Sequence, residues 1–170
     1  MDKLFSIAMS MIAALAIAGC ATQDGRNLVV GVSTASDVAA SMGVPADKLD
    51  GLNGETIWQY PHGPMGRQTY AVRIGSDSIV KEVKPLLTEE NIARIKLRQS
   101  TRDDVKALLG RPYRVSDFPR LPREVWEYAM LQDLQPRHLY VQFTPDGKVG
   151  EVQIVIDPSI VNMGNSGGSN

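Results

Sequence analysis

Few residues in this chain combine the types and spacing that chemistry requires. There are two histidines, His62 and His138, in unrelated contexts. A zinc site wants three or four His, Cys or carboxylate ligands at short spacings, and neither histidine has a second ligand placed that way. Cys20 is the one cysteine, so no internal disulfide is available. Ser33 and Ser100 stand at helix starts rather than in a G-x-S-x-G elbow, and no Gly-rich phosphate loop opens a helix. Asp103 and Asp104 offer adjacent carboxylates, but helix capping and solvation account for both. These residue types point away from an enzyme, from any metal or organic cofactor and from a small-molecule substrate. What remains is a group of arginines: Arg111, Arg114, Arg120 and Arg123. Guanidinium groups pair with carboxylates and with lipid phosphates, which makes these four the candidate partner or lipid contacts. A solvated loop balanced by Asp117 and Glu124 is the plainer reading of the same segment.

The element that must hold these arginines is written just before them. Ser100 to Pro112 reads STRDDVKALLGRP. Thr101 caps a helix, and Asp104 three residues on returns the bond to form a capping box. Val105, Leu108 and Leu109 make one apolar stripe. Gly110 takes a left-handed conformation that ends the helix, and Pro112 prevents its restart. Ser33 to Pro45, STASDVAASMGVP, repeats this text with seven of thirteen positions identical. The echo continues: Trp58 and Tyr60 correspond to Trp126 and Tyr128, Val72–Ile74 to Val141–Phe143, and Glu82-Val83 to Glu151-Val152, at offsets that drift from 67 to 69. The chain is therefore a duplication.

Each copy continues in strands. Thr56–Tyr60, Tyr70–Ile74 and Ile79–Val83 alternate or are β-branched in the first copy. Val125–Met130, Leu139–Phe143 and Val152–Ile156 follow in the second, with a hairpin turn at 144–148. Segments 44–55 and 111–124, rich in Pro and Gly, read as loops. Thr88 caps a short helix whose Ile92 and Ile95 face inward. In W-x-Y both aromatics share one face of a strand. That face either fills the core or forms an exposed surface, and the duplication favours the core. The expected fold class is α+β, with two tandem units, each with helices packed on one face of a three-stranded antiparallel sheet.

Net charge is −1 and the pI is near 6.1, so the basic excess of a nucleic-acid binder is missing. Leu4 to Ala18 is an apolar run too short for a comfortable membrane span. It ends in Ile17-Ala18-Gly19-Cys20, which resembles the lipobox of bacterial lipoproteins. The resemblance implies cleavage before Cys20 and acylation of Cys20, which anchors the chain to a membrane. Ala21 after the cysteine, with an aspartate only at Asp24, resembles the pattern of lipoproteins exported to the outer membrane. The expected organisation is a signal peptide at 1–19, a lipidated tether at 20–27, unit 1 at 28–84, unit 2 at 85–157 and a disordered Gly/Ser/Asn tail at 158–170.

The lipobox, the T-x-x-D-V-x-x-x-x-G-x-P helix, the W-x-Y strand and the closing hairpin together resemble the BamE (SmpA/OmlA-like) small outer-membrane lipoproteins. The second copy, TEENIARI, STRDDVKALLGRP, WEY and LYVQFTPDGKV, matches better. The likeness covers nearly all of Asn27 to Asp157, in two copies where the family's namesake has one. It implies a periplasm-facing, non-enzymatic protein-binding scaffold in outer-membrane protein assembly or envelope maintenance. The implied partners are envelope proteins, among them the β-barrel assembly machinery. The tandem arrangement is also similar to β-lactamase inhibitor proteins, and the alternative it implies is an inhibitor of a periplasmic or envelope hydrolase.

Overall fold

The computed structural model describes residues 24–61, 66–118 and 123–157. The signal segment, the first half of the tether including Cys20, His62, Arg120 and the 158–170 tail lie outside the described residues. Among the described residues no helix is long and apolar enough to cross a membrane.

The two signature helices form where their capping boxes require. Helix α1 spans Ala35–Met42 and the α2 turn Glu89–Ala93, while α3 spans Arg102–Leu109. The Thr34 hydroxyl accepts the Asp37 N–H at 3.3 Å, and the Asp37 carboxylate accepts the Thr34 N–H at 2.7 Å. Thr101 and Asp104 repeat this at 3.2 and 2.8 Å. These N–H bonds favour the charged form and hold both carboxyls below the usual carboxylate range. Both helices end at glycine, but not in the left-handed helical conformation that the sequence suggests. Gly43 has φ 81° and ψ −155°, and Gly110 has φ 81° and ψ −167°. That pairing of positive φ with extended ψ is essentially restricted to glycine.

The expected architecture is corrected at the level of the sheets. Among the described residues the chain is mostly β, with two four-stranded antiparallel sheets and three short α-helices, rather than an α+β pair of units with helices on three-stranded sheets. Sheet 1 runs in the order β1 (Asp47–Asp50), β2 (Thr56–Tyr60), β3 (Tyr70–Ile74), β4 (Val80–Pro85). Sheet 2 runs β5 (Arg114–Phe118), β6 (Arg123–Gln132), β7 (Gln135–Phe143), β8 (Val149–Ile156), and the two sheets are separate. The added strands, β1 and β5, lie inside the segments read as loops. Each begins shortly after a proline, Pro45 or Pro112, so the proline bounds the strand instead of interrupting it. Their sequences, DKLD and RVSDF, have weak strand propensity. They extend because they pair with β2 and β6, and pairing context outweighs propensity at an edge.

The duplication is preserved in register. Trp58 stands opposite Val72, and Val72 opposite Val83; Trp126 stands opposite Val141, and Val141 opposite Val152. Each third strand is irregular at the same place, Arg73/Ile74 and Gln142/Phe143. Each helix start is bridged to its hairpin, Thr34 to Ile79 and Thr101 to Lys148.

Two cores follow. Val38 and Met42 of α1 cluster with Tyr60, Val72, Ile74 and Val80. Val105 and Leu109 of α3 cluster with Leu87, Ile95 and the inward residues of β6, β7 and β8. Of the duplicated aromatics, Tyr60, Trp126 and Tyr128 are buried, and Trp58 is half-buried beneath the Lys48 ammonium, 4.1 Å from its ring. Each tyrosine closes its own helix by donating to the terminal glycine carbonyl, Tyr60 to Gly43 at 3.3 Å and Tyr128 to Gly110 at 3.1 Å. Burial pushes the Tyr60 hydroxyl up to about 12 and raises that of Tyr128 further.

Candidate functional site

The arginine segment is an edge strand, and this changes what its residues can do. Arg111 lies just past α3 and is spent on unit 1: its Nε and Nη2 donate to the Asp47 carboxylate of β1 at 2.5 and 3.1 Å. Lys106 of α3 joins them at 3.0 Å. Burial would raise the Asp47 pKa, but the bonds from Arg111 and Lys106 outweigh it and hold the carboxyl low. Arg114 opens β5, is largely exposed, stacks its guanidinium 5.6 Å from the Tyr113 ring and reaches Glu127 at 3.6 Å. Arg123 begins β6, is exposed and donates to the Gln142 side chain at 3.3 Å. It borders a groove of about 410 Å³ floored by Phe143, Thr144 and Pro145. Thus Arg114 and Arg123 share sheet 2, whereas Arg111 ties the two units together.

Strand β5 ends its sheet and presents large side chains to solvent. Val115 is 50 % exposed, Phe118 49 % and the adjoining Tyr113 52 %. Behind it the sheet is firmly held. Trp126 packs edge-on against Phe143 with centroids 4.9 Å apart and donates Nε1 to Glu124 at 2.5 Å. Arg102 of α3 donates to the same carboxylate at 2.7 Å and covers Phe143 at 5.1 Å. The bond from Arg102 is the main reason the Glu124 carboxyl lies below its usual range.

The opposite face of sheet 2 holds a cluster that the sequence did not disclose. His138 on β7 lies between two carboxylates: Nδ1 is 2.6 Å from Glu127 of β6, and Nε2 is 3.2 Å from Asp157 after β8. Arg67, from unit 1, donates to the same Asp157 carboxylate at 2.5 Å. The three side chains of Glu127, His138 and Asp157 are at most 14 % exposed. Both ring nitrogens thus face carboxylates within the fold. The cluster is a clamp that fixes the end of β8 to sheet 2 and to unit 1. Among the described residues no group of three or more His, Cys, Asp or Glu is placed to hold a metal ion. A signal for the clamp did exist. The β6–β7 hairpin turns at Asp133-Leu134, which sets His138 opposite Ala129 and beside Glu127 on the face away from Tyr128.

No family profile matches the chain, and no curated protein matches it. Among solved structures, a DUF4309 family protein (YjgB) from Bacillus subtilis subsp. subtilis str. 168 is similar, at 22 % identity over 78 % of this chain and 84 % of that chain, with a TM-score of 0.31. At that score the likeness defines neither a shared architecture nor a function.

Proposed function

We propose that this chain is a lipid-anchored, non-enzymatic scaffold of the bacterial outer membrane. In this reading it faces the periplasm and binds a protein partner in outer-membrane assembly or envelope maintenance. The observation that carries the reading is the β5 edge. An edge strand presents backbone N–H and C=O groups that an extended partner segment can pair with, and natural proteins usually blunt such edges. Here the edge is flanked by half-exposed Val115 and Phe118 and by the exposed guanidinium groups of Arg114 and Arg123. The fitting partner is an extended segment with acidic side chains, added as a fifth strand. The lipobox at Cys20 supports the membrane anchor, and the resemblance of the repeated motif to small outer-membrane lipoproteins supports the compartment.

Deleting the gene tests the role in the cell. Reduced outer-membrane barrel levels and greater sensitivity to detergent and large antibiotics are the expected outcome. Restoration by the wild type, but not by a Val115→Lys/Phe118→Lys variant, then ties the defect to the edge. Normal barrels and an intact barrier in the deletion would contradict the reading.

A further inference from the structure

The two units build the same turn before their signature helices, from different residues. In unit 2 the Ser100 N–H donates to the Lys96 carbonyl at 2.9 Å, the Lys96 N–H to the Ser100 hydroxyl at 3.0 Å, and the Arg98 N–H to the Val149 carbonyl at 2.8 Å. In unit 1 the Ser33 N–H donates to the Val29 carbonyl at 2.8 Å, the Val29 N–H to the Ser33 hydroxyl at 2.9 Å, and the Gly31 N–H to the Val80 carbonyl at 2.8 Å. The backbone is the same, so the fold does not dictate the side chains. Unit 2 places Lys96, Leu97 and Gln99 where unit 1 places Val29, Val30 and Val32. Those valines are 57, 55 and 70 % exposed, an apolar patch on a turn that is mostly polar in its duplicate.

We infer that the Val29–Val32 turn seats in the bilayer surface to which Cys20 is anchored. This rests on the reading of Cys20 as the acylated residue. The length of chain between the two decides the occupant. Three residues separate Cys20 from Asp24, and the four Cα–Cα steps between them span at most about 14 Å of extended backbone. The chain then folds back at once: the Leu28 N–H donates to the Gly25 carbonyl at 3.0 Å, and Asp24 is buried and paired with Arg26. The valines therefore follow directly on the point where the tether enters the fold, within reach of the lipid surface. Apolar side chains held at that surface add to acyl anchoring and set the orientation of unit 1. The matching turn of unit 2 lacks such a tether, and its Lys96 and Arg98 remain in water.

The test uses the full-length protein, purified from membranes in its processed form and reconstituted into vesicles of phosphatidylethanolamine with a minority of phosphatidylglycerol. Val30→Cys and, separately, Leu97→Cys carry an environment-sensitive dye; both sites are exposed, and an acylated Cys20 does not react. Mass spectrometry first establishes whether Cys20 is acylated. The expected result is an acylated Cys20, with blue-shifted emission at position 30 and severalfold stronger quenching there than at position 97 by nitroxides carried on the lipid chains. Acylated protein whose dye at position 30 stays aqueous overturns the inference and leaves the anchor intact. A blue shift without lipid-borne quenching shows a second copy covering the turn and likewise overturns it. Unacylated Cys20 overturns the anchor reading, and this inference with it.

Discussion

The duplication turns single residues into controlled comparisons. Arg98 has φ 61° at the position that Gly31 fills with φ 81°, so one copy uses the residue suited to this backbone and the other does not. A side chain in the left-handed region costs about 1 kcal/mol relative to glycine, partly offset by the greater freedom of glycine in the unfolded chain. Arg98→Gly is expected to raise the urea midpoint by the equivalent of about 0.5–1 kcal/mol. Gly110→Ala is expected to do the reverse by about 2 kcal/mol, because it combines a glycine-only backbone with a clash. The added Cβ would lie 2.6 Å from the Thr69 methyl. Equal midpoints for wild type and Gly110→Ala would contradict the cap geometry. Residue chemistry was the least legible level of the sequence. Thr101, Asp104 and Gly110 could be assigned because capping is a local matter. The Glu127–His138–Asp157 clamp could not, because its members meet through strand pairing and a chain reversal.

Among the elements, the helix and its W-x-Y strand act as one unit. Tyr128→Phe removes the donor to a buried Gly110 carbonyl, and the expected cost is about 1–2 kcal/mol. Tyr60→Phe should cost less, because that bond is 3.3 Å long and only partly buried. Urea denaturation of the two variants checks the order. The capping boxes also give the fold an acid sensitivity of definite sign. The folded-state pKa values of Asp37 and Asp104 are depressed, first by the N–H bonds of Thr34 and Thr101. Their stabilisation is present above the unfolded carboxylate range near ~4 and is lost as pH falls through the lower folded value. The stability gap between wild type and Asp104→Asn should accordingly be largest near neutral pH and shrink in acid; a gap that widened on acidification would contradict the box. Helix α1 was legible to its boundaries, and the inner strands nearly so, because caps and alternation are periodic local signals. Strands β1 and β5 were not. DKLD and RVSDF carry no such signal, and only pairing with a neighbour extends them.

For the molecule as a whole, the sequence disclosed the repeat but not how the copies are held. Among the described residues two ionic links contribute, beside the Leu87 N–H donated to the Gln68 side-chain oxygen at 2.9 Å and the Leu86 N–H donated to the Thr69 carbonyl at 2.7 Å. Asp47 of β1 takes Arg111 and Lys106 of unit 2, and Asp157 takes Arg67 of unit 1. The Asp47–Arg111 pair is half-screened, with Arg111 54 % exposed, so a double-mutant cycle on Asp47→Ala and Arg111→Ala should give a coupling of about 0.5–1 kcal/mol. No coupling at low salt would mean that this pair does not help to hold the units. With Arg111 occupied in this way, the partner surface we propose is the β5 edge. The most direct test of that claim is site-specific photo-crosslinking in intact membranes from Val115, with exposed Gln153 on β8 at the far edge of the same sheet as the comparison. The scaffold reading predicts one discrete adduct with an envelope protein from position 115, absent from position 153 and abolished by Phe118→Lys. No adduct from 115, or the same products from both edges, would contradict it.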